Sequence, residues 1–287
     1  MVEQKGVEPS TYTMRTYRSS QLSYCPVKSY FVIYIHILKN QMLFLIFHKI
    51  FTIKPFQFLI SIKKTLYYFK NSPIKTGFQF MYEHEREQVA YFMRRLYRQF
   101  LTTTSGGNIS CRTPDGNIAI TASQSDKCEQ RAKTVGIVTP DGKSLTPELK
   151  LSIETGMHLA IYRERPDVSA IVHAHPVTAT FFCTTEQNIN MHLTAEAYAV
   201  AGDIVRIPYA LMGSGELAEL AAENMKHADC GLMENHGVIA LGKNLLSAFD
   251  KMELLENAAK QTLMSYTIPA RSLSDEQLRE LERFMGR

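Results

Sequence analysis

The side chains best suited to chemistry in this 287-residue chain are two imidazoles, His173 and His175, set two positions apart in the run AIVHAHP that starts at Ala170. The run is apolar and β-branched and predicts a strand, where alternate side chains share a face, so both rings point the same way. Two nitrogens converging on one point suit a metal ion, although such a pair more often serves ordinary polar pairing. A catalytic zinc usually takes three protein ligands and leaves a fourth position for water or substrate. His236 is the best candidate for the third, because it stands in a polar turn between the apolar stretches Gly231-Leu232-Met233 and Val238-Ile239-Ala240-Leu241. Strand ends are usual places for site residues. His36, His48, His84, His158, His192 and His227 have no comparable setting.

Two other stretches carry polar groups in suggestive places. Ser105-Gly106-Gly107-Asn108-Ile109-Ser110 is a turn that can offer backbone N–H groups to an anion, and equally one that can open an ordinary hairpin. Glu154 falls in the first turn of a predicted helix, where a carboxylate ordinarily serves the dipole or a cap. Beside a metal-bound substrate the same carboxylate becomes a proton-transfer group.

The elements that must position these groups occupy residues 81–287. A helix is expected over residues 82–101, acidic at its start and basic toward its end. Short strands follow at residues 118–121 and 135–138, flanked by two Pro-Asp-Gly turns. A helix approached through Thr146-Pro147-Glu148 runs to about Glu164, and the His-x-His strand comes next. Further helices are expected at residues 176–183, 193–201, 216–227, 245–266 and 274–284, with a strand at residues 204–207 and the His236 strands between them. With 45% hydrophobic and 21% charged residues, this is the composition of one ordinary globular α/β domain.

Residues 1–80 read differently. They carry 11 Lys+Arg against 2 Asp+Glu and no Asp, whereas the rest carries 21 against 26. Their apolar stretch is broken by Lys39, Lys49, Lys54, Lys63 and Lys64, too often for a membrane span, and it begins too late for a signal peptide. The segment is expected to be a non-native or disordered extension, with Met81 as the true first residue; the alternative is a membrane-surface anchor rich in Lys and aromatics. The domain proper has no basic stripe for a nucleic acid. Five Cys, odd in number and without a C-x-x-C pair, fit a reduced, cytoplasmic protein.

In chain order, Gly107-Asn108-Ile109-Ser110, the helix-borne Glu154, His173-Ala174-His175 and Asn235-His236-Gly237-Val238 resemble the class II aldolase and adducin family, over nearly all of residues 81–284. The resemblance implies an α/β single domain with a central, mostly antiparallel sheet flanked by helices, and a homotetramer with active sites between subunits. It implies His173, His175 and His236 as ligands of one zinc ion, or another divalent metal, and Glu154 as the catalytic carboxylate. It places the substrate phosphate at Gly107, Asn108, Ser123 and Ser152. The implied reaction cleaves a ketose 1-phosphate of the L-fuculose type into dihydroxyacetone phosphate and an aldehyde, the metal stabilising the enediolate and Glu154 exchanging its proton. Sister activities share the site: a 4-epimerase of the L-ribulose 5-phosphate type, whose counterpart of Glu154 should be Asp, and a sugar-phosphate dehydratase or decarboxylase. A non-catalytic adducin-like scaffold should have lost the His ligands, and all three are present. The chain departs from the family pattern at Gln124, where Gly usually follows the hydroxyl residue, and at Ile153, where a second Ser is common. It has Ala195 or Glu196 where a Tyr proton donor is expected, Tyr198 is out of register, and the tail at residues 284–287 supplies no Tyr.

Overall fold

The computed structural model describes residues 82–286 and two strands, β1 (Ile33–Leu38) and β2 (Gln41–Ile46), which pair antiparallel. The rest of the segment read above as a non-native or disordered extension lies outside the described residues.

Helix α1 (Glu83–Arg98) has Glu83 and Glu85 in its first turn and Arg95 and Arg98 in its last, each sign at the helix end it stabilises. Val89, Phe92, Met93 and Leu96 form its buried stripe. It stops short of residue 101 because Phe100 adopts a left-handed backbone with φ of 58°. Seven strands follow: β3 (Asn108–Arg112), β4 (Ile118–Thr121), β5 (Val135–Val138), β6 (Ala170–Ala174), β7 (Ile204–Ile207), β8 (Cys230–Met233) and β9 (Gly237–Gly242). They form one sheet in the order β5-β4-β3-β6-β9-β8-β7, antiparallel throughout except for the parallel pair β7 and β8. The expected mostly antiparallel sheet flanked by helices is the observed fold.

The remaining helices are α2 (Thr155–Glu164), α3 (Val177–Phe182), α4 (Ala195–Ala201), α5 (Gly215–Asn224), α6 (Leu245–Ser265) and α7 (Asp275–Met285). Strand alternation sorts the core into two layers. Ile109, Val172, Ala174, Leu232, Val238 and Ala240 pack with α1, α3 and α6 on one face. Ile120, Ile171, Ile207, Met233, Ile239 and Leu241 pack with α2 and α5 on the other. With both faces covered, β6 and β9 are buried along their whole length and read as continuous apolar runs rather than as alternating ones.

One boundary differs from expectation in a way that shapes the site. The helix approached through Pro147 begins only at Thr155. Residues 146–152 are held to the sheet instead: Ile137 N donates to Thr146 Oγ1 at 3.0 Å, Ala122 pairs with Leu151, and Ser123 N donates to Lys150 O at 2.8 Å. Glu154 therefore occupies the N-cap position of α2 rather than a place within the helix.

Candidate active site

His173 lies on β6 in register with Asn108 of β3, so both project toward α2, on the opposite side from Val172 and Ala174. His175 falls one residue past the end of β6, where the chain turns at Pro176 into α3. Glu256 of α6 fixes that turn, its carboxylate accepting from Thr178 N at 3.3 Å and Ala179 N at 2.8 Å, a buried cap on the start of α3. His236 sits in the tight turn between β8 and β9. Asn235 takes φ of 51° there, its N–H donates to Cys183 O at 3.0 Å, and His236 N donates to Met233 O at 3.1 Å. The C-terminal end of α3 is thereby tied to the turn that carries the third imidazole.

These constraints bring the three rings together. Ring centroids are 4.8 Å apart for His173 and His175, 4.9 Å for His173 and His236, and 5.5 Å for His175 and His236. One nitrogen from each lies within 4.8 Å of the others. His173 Nδ1 donates to Val238 O at 3.0 Å, which leaves Nε2 with its lone pair, and Nε2 of both His173 and His175 is buried without a hydrogen-bond partner. Burial pushes the pKa of His173 down and that of His175 down to about 3, so both rings are neutral donors. Buried acceptors rarely stay orphaned, and three imidazoles facing one point fit a divalent cation. Glycine makes the approach possible: a Cβ on Gly237 would lie 2.8 Å from Ala174 O and strike the His175 ring, and Gly107, at φ of 67°, has no room beside His173 O.

Glu154 stands over this triad, Oε2 lying 3.3 Å from His173 Nε2 and Oε1 3.1 Å from His236 Nε2. Burial disfavours its charge, but neighbouring polar groups, Asn108 among them, outweigh that and hold the carboxyl well below the usual range. It is a carboxylate at neutral pH. Asn108 Nδ2 donates to Glu154 Oε2 at 2.7 Å, and Asn108 Oδ1 meets His158 Nε2 at 2.5 Å. His158 Nδ1 meets Ser110 Oγ at 2.7 Å, and Ser110 Oγ meets Tyr162 OH at 2.9 Å. The direction of every proton follows from the two ends. A carboxylate only accepts, so the Asn108 oxygen must face His158; His158 then carries its proton on Nε2, accepts from Ser110 at Nδ1, and leaves Ser110 to accept from Tyr162.

A cavity of about 340 Å³ opens in front of the triad, and Gly107, Ser123, Ser152, Glu154, His175 and His236 are among the residues that line it. Seven of the eight residues singled out from the sequence thus line one space, and the eighth, His173, is fully buried next to Glu154. The side-chain oxygen and one amide hydrogen of Asn108 are committed to His158 and Glu154. Gln124 in place of Gly adopts φ of 54°, so the loop after Ser123 keeps the left-handed turn that Gly would take. Tyr198 is not in the cavity; its hydroxyl donates to Glu282 Oε1 of α7 at 2.6 Å.

Two lining or supporting residues escaped the sequence reading. His158 lies four residues after Glu154, on the same helical face, and that spacing was the available signal. Lys127 also lines the cavity and is fully buried; a Lys in a polar loop gives no such hint. Among the described residues no helix is long and apolar enough to cross a membrane, and Cys111, Cys128, Cys183 and Cys230 are free thiols.

Residues 87–263 match the family described as class II aldolase and adducin N-terminal domain. The chain is 33% identical to an L-fuculose phosphate aldolase of Methanocaldococcus jannaschii over 184 residues, covering 64% of this chain and 98% of that protein. It is 31% identical to a 3-oxo-tetronate 4-phosphate decarboxylase of Escherichia coli O6:H1 over 204 residues, 68% of this chain and 94% of that one. Among solved structures, an L-fuculose 1-phosphate aldolase superposes with a TM-score of 0.66 at 28% identity, over 71% of this chain and 96% of that one.

Proposed function

Since this chain belongs to the class II aldolase and adducin family, whose lyase chemistry it shares, we propose that it is a zinc-dependent aldolase. Its substrate is a ketose 1-phosphate, cleaved to dihydroxyacetone phosphate and an aldehyde. The observation that carries this reading is the buried, ionised Glu154 held over two orphaned imidazole nitrogens and a third ring. His173, His175 and His236 would hold the cation, a set of three imidazoles that suits zinc. A cation bound there supplies a Lewis acid that draws electron density from the ketose carbonyl.

Everything else is the work of side chains. Glu154 Oε moves the proton to and from the carbon that the aldehyde leaves, and Asn108, locked by His158, keeps that oxygen in place. Gly107, Ser123 and Ser152 line the cavity where the phosphate is anchored, and they orient the substrate without taking part in bond breaking. Ile153 and Met212 line the cavity yet are 52% and 56% exposed, with Tyr209 and Leu211 nearby in sequence and also exposed. Such an apolar rim supports a homotetramer whose neighbouring subunit closes the site. The free thiols support a cytoplasmic setting.

A second reading has its own support. No Tyr lines the cavity among the described residues. The hydroxyl that becomes the aldehyde must give up its proton to a base as the carbon–carbon bond breaks, whereas a carboxylate leaving as carbon dioxide has no proton to give up. Decarboxylation of a 3-oxo acid phosphate, the activity in the name of the Escherichia coli relative, is therefore the alternative.

The metal-loaded protein is expected to exchange solvent deuterium into dihydroxyacetone phosphate, a half-reaction that needs no aldehyde. Glu154→Gln should keep its zinc and lose at least about 10²-fold of that rate, whereas His173→Ala should lose zinc and exchange together. Equal exchange by wild type and Glu154→Gln, both fully loaded, sinks the aldolase assignment of Glu154. Turnover of a 3-oxo acid phosphate without any exchange establishes the decarboxylase instead.

A further inference from the structure

Lys127 is a charged side chain without a charged partner. It is 2% exposed and belongs to the largest fully buried side chains of the domain. Its ammonium donates to Ala122 O at 3.3 Å, and its backbone N–H donates to Thr104 O at 3.0 Å. No carboxylate lies within ion-pair distance among the described residues. Lys251, also buried, is 2.5 Å from Asp229, and Arg86, which like Lys127 has no ion pair, divides its Nε–H between two carbonyls at 2.9 and 2.8 Å. An isolated ammonium in a low-dielectric place is costly unless something pairs with it. Burial alone lowers the pKa of Lys127, to about 8, so it still carries its proton at neutral pH.

The location supplies the reason for tolerating that cost. Lys127 lines the same cavity as the candidate metal centre, on the side of Ala122, Ser123 and Ser152. The first turn of α2 opens there too: Glu154 N donates to Ser152 Oγ at 3.3 Å and Thr155 N to Ser152 O at 3.1 Å, so the positive end of a ten-residue helix adds to the ammonium. The cavity lining thus combines imidazoles of the triad with a cation and hydroxyls.

We propose that Lys127 is the counter-charge for the phosphate of the substrate, the ammonium being left unpaired in the free protein so that a phosphate monoester completes it. This assignment rests on the reading that the cavity takes a phosphorylated sugar, and it adds the residue that makes phosphate obligatory. A neutral sugar entering the cavity would leave the ammonium buried and unpaired. A phosphate forms a charge-assisted hydrogen bond to it. Lys127 is therefore a specificity-determining residue rather than an acid or base.

The test uses the full, zinc-loaded chain and inorganic phosphate, whose binding can be followed without knowing the sugar. Wild type is expected to bind phosphate saturably, and Lys127→Met, which keeps an unbranched side chain one atom shorter and removes the charge, to bind it at least tenfold more weakly with unchanged zinc content. Lys127→Met should still exchange deuterium into dihydroxyacetone phosphate near the wild-type maximal rate, with the loss falling on KM. Phosphate affinity within twofold of wild type in Lys127→Met overturns the proposal, as does a wild-type cavity that binds acetate as tightly as phosphate. A Lys127→Met chain that binds phosphate normally but loses exchange altogether also overturns it, by making Lys127 part of the chemistry. Should that variant not fold, 15N-lysine labelling of the unaltered chain gives the same answer. The slowly exchanging ammonium resonance of a buried Lys must shift as phosphate is added, and an unmoved resonance refutes the contact. These readouts fail independently of the aldolase reading, which stands or falls on exchange into dihydroxyacetone phosphate.

Discussion

The imidazole of His158 shows how a residue that touches neither metal nor substrate can set the state of one that does. It is fully buried, and its ordered protons present the NH2 end of Asn108 to Glu154. Burial pushes its pKa from 6.5 down to about 3. The unfolded chain therefore binds a proton at this residue that the native one refuses, and the contribution of neutral His158 is complete above about pH 6.5 and lost as pH falls toward 3. At pH 5 the loss amounts to roughly 2 kcal/mol. Urea titrations of the metal-free protein at pH 7 and pH 5 should show that drop shrinking by about this amount in His158→Gln. An identical drop in wild type and variant would mean that the buried imidazole is not the neutral, proton-ordered group described. Glu154 titrates in the other sense, its carboxyl held low, so it stays charged over the same window.

At the scale of elements, the site is made by what happens just after strands end. β6 stops at Ala174 and β8 at Met233, and the two chain reversals that follow are clamped to one another through Asn235 N and Cys183 O. Gly237 is where β9 resumes, against the ring of His175. Gly237→Ala has no space for its methyl group unless His175 or the Ala174 carbonyl yields. It should cost about 1–3 kcal/mol, as overpacking does, and lower the zinc content well below one equivalent. Thermal melts and metal analysis of the purified variant measure both; full zinc and unchanged activity would show that the turn has slack that the geometry denies. α2 contributes differently, by starting late. Had it begun at Pro147, Glu154 would be inside a helix pointing along its face, instead of at the N-cap above the imidazoles.

For the molecule as a whole, the chain divides between Ile74 and Lys75, close to the change in charge balance at residue 80. We propose that the unit carrying the site is sufficient by itself. A chain beginning at Met81 is expected to be soluble and to match the full chain in zinc content and in exchange of dihydroxyacetone phosphate protons. Aggregation or loss of activity in the shorter chain, with the longer one sound, would assign residues 1–80 a role in folding.

Much of this protein could be read from the residues alone, because short-range rules govern them. His-x-His in a β-branched run must put two rings on one side, a late His before Gly sits well in a turn, and the charge order of residues 83–98 fits a helix dipole. The mostly antiparallel sheet followed from a family resemblance, and seven of the eight residues that the same resemblance singled out line one cavity. What the chain could not disclose depended on contacts between residues far apart in sequence. The two ends of the Asn108 amide are taken by His158, fifty residues on, and by Glu154. Nothing in the sequence marked Lys127, whose ammonium the fold buries against Ala122 O in the same cavity. Burial and pairing are properties of packing, and only packing decides whether a charge faces water, a carboxylate or an empty place shaped for a substrate.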